Sequence, residues 1–376
     1  MINEQSVNSP MQPYNVDISV LMLFHARADH FSQVWAEVKK ARPARLFLYQ
    51  DGPRENSDDM KGIMECRELV KDENIDWQCE VHRFYQEKNY GCDPSEYISQ
   101  RWAFSQTDKC IVLEDDDVPS QSFFTFCKDM LDRYEHDERI TMIAGFNTDE
   151  VSDLPNSYAN TTPSQEENHT IQTPPSVEGR ATPSYFFTRV FSIWGWASWA
   201  RVVNQWEGDY AFVKDHARFK ELCAKVKREK IFTWMPKVCR DHSLSGRAHY
   251  ESIFWAYMFM HDGLAIMPCM NMINNIGLQG GAHYNVDLRL KPRCQRQIFT
   301  MQRHEMWPPY IHPAQVEDWP QYLDSYFCRM GLDRPLHKMA HSIEELFLHL
   351  RYGDINGIIK ALKIRLSKII GTYKAY

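Results

Sequence analysis

The run Cys110-Ile111-Val112-Leu113-Glu114-Asp115-Asp116-Asp117-Val118-Pro119 sends an apolar, buried-type strand straight into four successive carboxylates. Pro119 and Ser120 then open a helical pattern. Like charges packed at one strand end repel one another unless a cation sits among them. Hard oxygen donors suit Mg²⁺ or Mn²⁺, ions that bridge carboxylates to phosphate oxygens. An acidic run is about as often a solvated face; its place directly after a strand favours a site.

Three other strand ends carry compatible chemistry. Phe24-His25-Ala26-Arg27 follows the first candidate strand, Gln50-Asp51-Gly52-Pro53-Arg54 the second, and Lys88-Asn89-Tyr90-Gly91 comes after the third. An arginine for phosphate, a carboxylate able to accept from a base N–H and a glycine that lets backbone come close would together make a nucleotide cradle. Loops favour Asp, Gly and Asn for turn geometry alone, so the weight lies in their shared edge.

The elements that must position these residues alternate. Candidate strands are Ile18–Phe24, Arg45–Tyr49, Cys79–Phe84, Lys109–Leu113 and Ile140–Phe146, separated by amphipathic stretches at His30–Lys40, Met60–Lys71, Pro94–Phe104 and Ser122–Tyr134. This alternation predicts parallel strands joined by right-handed crossovers, a doubly wound α/β sheet. Ligands of such sheets bind beyond the carboxyl ends of the strands. Neither a G-x-G-x-x-G after the first strand nor a Walker A motif occurs, which removes the usual dinucleotide and P-loop readings. Thr148 to Ser184 is rich in Pro, Ser, Thr, Asn and acid, and is expected to be a mobile flap. Further on, the pattern predicts a strand at Tyr185–Ser192, a helix from about Trp196, helices around Ala217–Lys230 and His249–His261, and a strand at Gly263–Met270. Positions 196, 199, 203 and 206 share one helical face, so Trp199, Val203 and Trp206 are expected in the core.

Composition sets the outer limits. The chain has 376 residues with 43 Lys+Arg against 50 Asp+Glu, a net charge of −7, and a pI near 6.1. That balance excludes nucleic acid as a main partner, since phosphate backbones need a dominant basic surface. Hydrophobic residues at 43% and charged residues at 25% match an ordinary globular protein. Apolar runs such as Ile18–Phe24 fall far short of the roughly 20 residues a spanning helix needs. The ten cysteines are scattered from Cys66 to Cys328 without a C-x-x-C pair, which predicts reduced thiols. The N-terminal residues lack the profile of a secretory signal, so a cytoplasmic location is expected. At the other end, Ile355, Ile358, Ile359, Leu362, Leu366, Ile369 and Ile370 form one stripe, with Lys360, Lys363, Arg365 and Lys368 outside it. Such a helix either lies on the anionic inner face of a membrane or packs on its own domain.

Taken in order, F-x-x-R ending at Arg27, Q-D-G at Asp51, N-x-G from Asn89 to Gly91, Arg101-Trp102-Ala103 and E-D-D-x-x-P-S-x-x-F-F from Glu114 to Phe124 resemble GT-A glycosyltransferases related to N-acetylglucosaminyltransferase I. Phe187 to Trp199, with Trp194-Gly195-Trp196-Ala197-Ser198-Trp199, is similar to the W-G-W-A-x-W signature of a bacterial branch. Tyr250-Glu251-Ser252-Ile253-Phe254-Trp255 and the loop from Asn275-Ile276-Gly277 to His283 follow in the same order as in that branch. The resemblance spans residues 17–290.

It implies a GT-A, Rossmann-like, mostly parallel sheet with a C-terminal helical extension. It also implies a nucleotide-diphosphate sugar donor, uridine being the expected base, with Mn²⁺ or Mg²⁺, and inverting transfer to a saccharide or lipid-linked glycan. Carried over by position, Asp116 and His283 would be metal ligands and Glu251 the general base. Glu114 and Asp115 would hold the ribose and its surroundings, and Asp51 and Arg27 would lie near base and phosphates. Asn89, Gly91, Arg101 and Arg189 would complete the donor site, with Trp194 as an apolar wall of the sugar pocket. Three departures stand out: Asp117 replaces a commonly uncharged residue, Glu251 a more usual Asp, and Gly280-Gly281-Ala282-His283 a more acidic loop. The implied organisation is a flexible tail at 1–16, a catalytic unit at 17–290 containing the loop 148–184, an extension at 291–350 and a basic amphipathic helix at 351–376. Two rivals stay open: a nucleotidyltransferase that makes a nucleotide sugar, and a noncatalytic carbohydrate-binding protein.

Overall fold

Residues 11–154, 183–278 and 287–370 are described by this computed structural model. The first half alternates as β1 (Val16–Phe24), α1 (Ala28–Ala41), β2 (Pro43–Gln50), α2 (Asp59–Leu69), β3 (Glu80–Tyr85), α3 (Cys92–Phe104) and β4 (Lys109–Glu114). Then come β5 (Asp117–Pro119), α4 (Gln121–Arg133), β6 (Ile140–Ala144), β7 (Tyr185–Thr188), β8 (Trp196–Trp199), and the short helices α5 (Ala200–Val203) and α6 (Ala211–Lys214). Helices α7 (His216–Glu229), α8 (Met235–Ser245) and α9 (Tyr250–Met260) lead to β9 (Leu264–Pro268) and β10 (Ile273–Asn275). Four helices close the chain: α10 (Arg293–Ile298), α11 (Pro320–Arg329), α12 (Pro335–Arg351) and α13 (Ile355–Ile370).

Eight strands form one sheet in the order β3-β2-β1-β4-β8-β6-β9-β7, and β10 pairs with β5 in a small second ribbon. Pairs β1/β2, β2/β3, β1/β4 and β6/β9 are parallel, whereas β8 and β7 run antiparallel to their neighbours. The sheet is therefore mostly parallel and doubly wound, as the alternation predicts. Winding proceeds from β1 outward to β3, then crosses back to β4 on the other side of β1. That reversal is the topological switch point at which such sheets open a crevice. Strands β1 and β4 are apolar almost throughout because helices cover both faces.

One expectation is corrected. Trp196 does not begin a helix: Trp196–Trp199 is a strand in mid-sheet, with Ala197 opposite both Ile111 and Ile143, and helix starts only at Ala200. A strand buried on both faces shows no alternation of polarity, so its aromatics can mimic helical spacing. Strand geometry sends Trp196 to one face, against Phe104, Tyr250 and Phe254. Trp199 goes to the other, where its indole N–H donates to the Leu131 carbonyl at 3.1 Å. Trp199, Val203 and Trp206 are core residues as expected.

The C-terminal extension is attached to the edge strand β7. The Trp319 N–H donates to the Phe187 carbonyl at 2.8 Å, and Phe186 packs its ring on Trp319 and Tyr322. Glu305 accepts from the Gln121 and Ser122 N–H groups at 3.0 and 2.7 Å, satisfying the open start of α4 from a distant part of the chain. Beyond α11 the helices leave the core. Leu336, Met339, Ile343, Leu346, Phe347 and Leu350 form an exposed stripe on α12, continued on α13 by Ile355, Ile359, Leu362 and Leu366. Among the described residues, no helix is long and apolar enough to cross a membrane.

Trp196 is fully buried where the sheet meets α3 and α9. Trp196→Ala should lower unfolding free energy by about 3–5 kcal/mol, as large aromatic-to-alanine changes in cores do. Chemical denaturation measures this; a loss under ~1 kcal/mol would mean that the strand assignment at Trp196 is wrong.

Candidate functional site

The carboxyl edge of the sheet gathers acids from four elements. Strand β4 delivers Glu114 and the turn after it delivers Asp115 and Asp116, while Asp117 begins β5. Helix α3 starts at this edge because it follows β3, so its first turn presents Asp93 and Glu96. Helix α9 precedes the parallel strand β9, so it too starts here, presenting Glu251. Asp93, Glu96 and Glu251 bring carboxylate oxygens within 4.8 Å of one another.

Arg27, at the end of the β1–α1 turn, brings a guanidinium to this cluster, and His249 Nδ1 lies 3.4 Å from Asp93 Oδ1. Its guanidinium bonds to Asp115 through Nε at 3.2 Å and through Nη2, and Nη2 also donates to Asp116 Oδ2 at 2.8 Å. Asp116 Oδ1 accepts from Asn275 Nδ2 at 3.2 Å, and the Ile276 N–H donates to the Asp116 carbonyl at 2.9 Å. A Cβ on Gly277 would collide with Asp116 Oδ2, so glycine is what lets the 275–277 loop close on this carboxylate. Asp117 is fully buried and faces inward: it accepts from the Gly195 N–H at 2.9 Å and from Asn275 Nδ2 at 3.2 Å. Gly195 has φ +63°, the left-handed turn that lets Trp194 and β8 diverge there.

Burial and mutual repulsion raise several of these acids. Glu96 is pushed well above the carboxylate range by burial first and by Glu251 next; Glu114 by burial and then Glu96; Asp117 by burial and then Asp116. Burial also raises Asp115, opposed by Arg27. Among the described residues, Glu96 Oε2 and the Tyr250 hydroxyl, which feels Glu96, Glu114, Glu251 and Asp117, are buried here without hydrogen-bond partners. Arg27 Nη1 is likewise without a partner. Excess carboxylate oxygen and the unsatisfied Glu96 Oε2 fit a hard divalent cation bound among them, whereas the open N–H of Arg27 Nη1 fits an anion beside it.

Asp51, at the end of β2, has a different part. Its carboxylate accepts from the Gly52 N–H at 2.9 Å, Asn89 Nδ2 at 2.8 Å, the Tyr90 N–H at 2.9 Å and the Gly91 N–H at 3.0 Å. It ties the second and third strand-end loops together, with Gly52 so close to Lys88 that any Cβ would collide with its backbone. Gly91, at φ +87°, is the N-cap of α3. Asn89 and Gly91 are thus brought to the same edge as Arg27.

Other residues expected at the site are placed elsewhere. Arg101 sits in the last turn of α3 and donates to the Val203 carbonyl at 2.8 Å. Val203 follows the end of β8, which pairs with Lys109 at the amino end of β4, so Arg101 is at the opposite edge. Arg189 follows Thr188, which lies opposite Ala265 at the amino end of β9, and pairs with Glu229 and Asp262. Trp194 is half-buried beside Gly195, its ring 4.7 Å from Phe146 and 5.4 Å from Phe299, which puts it at the rim of the acidic site. His283 lies outside the described residues, as do residues 155–182 of the expected flap. Sequence reasoning missed Asp93 and Glu96, and gave Asn275 only as the start of the later N-x-G loop motif. The signal available was an i, i+3 acid pair opening a helix after the N-x-G loop.

No family model and no curated protein matches this chain. Among solved structures, the inositol-1-phosphate CTP transferase of T. maritima is 9% identical over 76% of this chain and 96% of that one, with a TM-score of 0.34. Mouse xyloside xylosyltransferase 1 in its apo form is 12% identical over 65% of this chain and 81% of that one, with a TM-score of 0.31. At TM-scores this low neither likeness bears on the chemistry, which rests on the site itself.

The raised carboxyls make a prediction about pH. A group whose folded pKa lies above its unfolded value, ~4.3 for Glu, favours the folded state fully below that value. The contribution is lost as pH rises through the folded pKa. In chelator, wild-type protein should therefore lose stability relative to Glu96→Gln as pH climbs from about 4.3 through neutrality, because the variant cannot ionise there. Paired melts across that range test it; a gap that does not widen with pH would contradict the raised state of Glu96.

Proposed function

We propose that this chain is a divalent-cation-dependent glycosyltransferase that takes a sugar from a nucleotide diphosphate, with uridine as the expected base, and passes it with inversion to a saccharide or lipid-linked glycan. The observation carrying this reading is the division of the edge carboxylates into two settings. Asp115 and Asp116 face Arg27 at the switch point, whereas Glu251 stands with Asp93 and Glu96 on the first turns of α9 and α3. The first setting suits a charged leaving group and the second suits a proton acceptor.

Asp116, with Asp115 beside it, would hold Mn²⁺ or Mg²⁺, which when bound supplies charge stabilisation to the departing diphosphate. Arg27 adds a guanidinium on the phosphate side, suited to phosphate oxygens in paired hydrogen bonds. Trp194 offers an aromatic wall for the sugar. Glu251 takes the proton of the acceptor hydroxyl as that oxygen bonds to the anomeric carbon. The bond to the diphosphate breaks on the opposite face, its electron pair stays with the phosphate oxygen, and the anomeric configuration inverts.

The same site could serve a nucleotidyltransferase, but the β1–α1 turn consists of His25, Ala26 and Arg27. It contains no glycine, which is against a phosphate-wrapping loop at that position. Release of pyrophosphate from a nucleoside triphosphate and a sugar 1-phosphate would establish that alternative.

Asp116→Ala is expected to abolish transfer while leaving the melting profile folded, and excess chelator is expected to stop the wild type. Glu251→Gln should keep donor affinity and lose turnover by about 10²–10⁴-fold, the usual contribution of a positioned base. Product NMR reads the anomer. Retention of configuration, or normal turnover by Glu251→Gln, would remove Glu251 from this role.

The exposed stripe on α12 and α13 supports contact with an anionic membrane surface, which would bring a lipid-linked acceptor near. Lys360 and Lys363 are exposed on α13, which contains no acid. Deleting residues from Ile355 onward should reduce co-sedimentation with phosphatidylserine vesicles, most at low salt, and preserve transfer to a soluble acceptor. Equal sedimentation of both forms would exclude the helix as the contact.

A further inference from the structure

The segment after α10 is tied to the loop beside the acidic turn. Asn271 Nδ2 donates to the Gln302 carbonyl at 2.9 Å, Asn274 Nδ2 donates to the Met301 carbonyl at 2.5 Å, and the His304 N–H donates to the Asn271 carbonyl at 2.7 Å. The next residue of that loop, Asn275, bonds to Asp116 and Asp117. Phe299, the C-cap of α10, is thereby brought to the rim of the acidic site, its ring centroid 5.4 Å from that of Trp194. Phe146 is buried and packs on Trp194 at 4.7 Å, whereas Trp194 and Phe299 are half-buried.

Sheet order decides which part of a ligand would meet these two rings. Along β2, β1, β4 and β8, the carboxyl edge presents Asp51, Arg27, the acidic turn and then Trp194, two residues before β8. Strand β8 is antiparallel to β4 and starts opposite Val112, toward the carboxyl end of β4. Arg27 and the acidic turn thus stand between the Asp51 loops and the aromatic pair. A nucleotide on the Asp51 and Arg27 side leaves the sugar end of the reaction toward Trp194 and Phe299. Aromatic rings beside carboxylates suit a pyranose, whose C–H face is apolar and whose hydroxyls donate to carboxylate oxygens.

We infer, resting on the glycosyltransferase reading above, that Phe299 is a specificity-determining residue of the acceptor subsite: with Trp194 it forms a platform for one hexopyranose ring of the acceptor. The C-terminal extension then completes the site, supplying a ring that the entry to β8 lacks, and the Asn271 and Asn274 bonds hold that ring in place.

Saturation-transfer NMR of the full chain with methyl α-glucopyranoside, methyl α-galactopyranoside and methyl α-mannopyranoside reads the platform without turnover. At least one glycoside should take up saturation from the wild type, lose most of it with Phe299→Leu and regain it with Phe299→Tyr. Leucine keeps apolar packing and removes the ring, so a purely structural role would leave the signal in place. In transfer from a uridine-diphosphate sugar to that glycoside, Phe299→Leu should raise the acceptor KM by about 3–10-fold, the size of one aromatic contact, and leave the donor KM in place. Binding of a glycoside without any transfer would count against the glycosyltransferase reading and still support the platform. No saturation of any glycoside by the wild type, equal saturation by wild type and Phe299→Leu, or a donor KM that rises with the acceptor KM would overturn the assignment.

Discussion

The constraint on which the structure turns is the crowding of carboxylates at one sheet edge. Among the described residues, Glu96, Glu114, Asp115, Asp116 and Asp117 share a buried region with one guanidinium, that of Arg27. Left alone, such a cluster costs several kcal/mol per ion in desolvation, besides its self-repulsion. The fold offsets part of this with fixed dipoles: the Gly195 N–H and Asn275 amide on Asp117, and the same Asn275 amide on Asp116. The rest is left as raised proton affinity. A site that keeps such a cost suits a ligand that cancels it, and positive charge placed among the carboxylates is what would do so.

Topology is what permits that crowding. The switch between β1 and β4 is where sheets of this kind bind their ligands, and Arg27 after β1 meets the acidic run after β4 there. The first turns of α3 and α9 arrive at the same edge because each helix runs back toward the amino end of a parallel strand. Their N-terminal dipoles favour negative charge, so Asp93, Glu96 and Glu251 stand where backbone N–H groups partly compensate them. Asp51 joins the two outer loops with backbone N–H bonds and so fixes the start of α3 that carries Glu96.

Much of this was legible in the residues, for identifiable reasons. Strands β1, β2, β3, β4 and β6 stood out because each is a short apolar run bounded by turn residues, and the acidic run directly after β4 carried its own position. Strand β8 was not legible: four residues rich in tryptophan have no period of their own, and only pairing on both sides makes them a strand. Arg101 and Arg189 show the other limit. A sequence motif gives distance along the chain, but the end of an element on which a residue stands decides which sheet edge it reaches. Asp93 and Glu96 escaped notice because acids opening a helix have an ordinary explanation in the dipole, and only tertiary packing brings them against Glu114 and Glu251.

Asp117 departs from the pattern of the glycosyltransferases that the sequence resembles in the way that most invites a shifted ligand assignment, and its geometry argues against the shift. Its side chain is fully buried, with Oδ2 on the Gly195 N–H and Oδ1 on Asn275. To reach a cation it would have to release Gly195, whose left-handed turn sets the entry of Trp194 and β8. Releasing a buried N–H leaves it unsatisfied at a cost of about 1–3 kcal/mol, before any rearrangement of the strand is counted. Asp116 is held differently, by Arg27 and the Asn275 amide, groups that can exchange a carboxylate for phosphate or share it with an ion. The extra acid therefore braces the aromatic strand against the acidic turn, and of the two carboxylates Asp116 is the one whose side-chain partners, Arg27 and Asn275, are exchangeable.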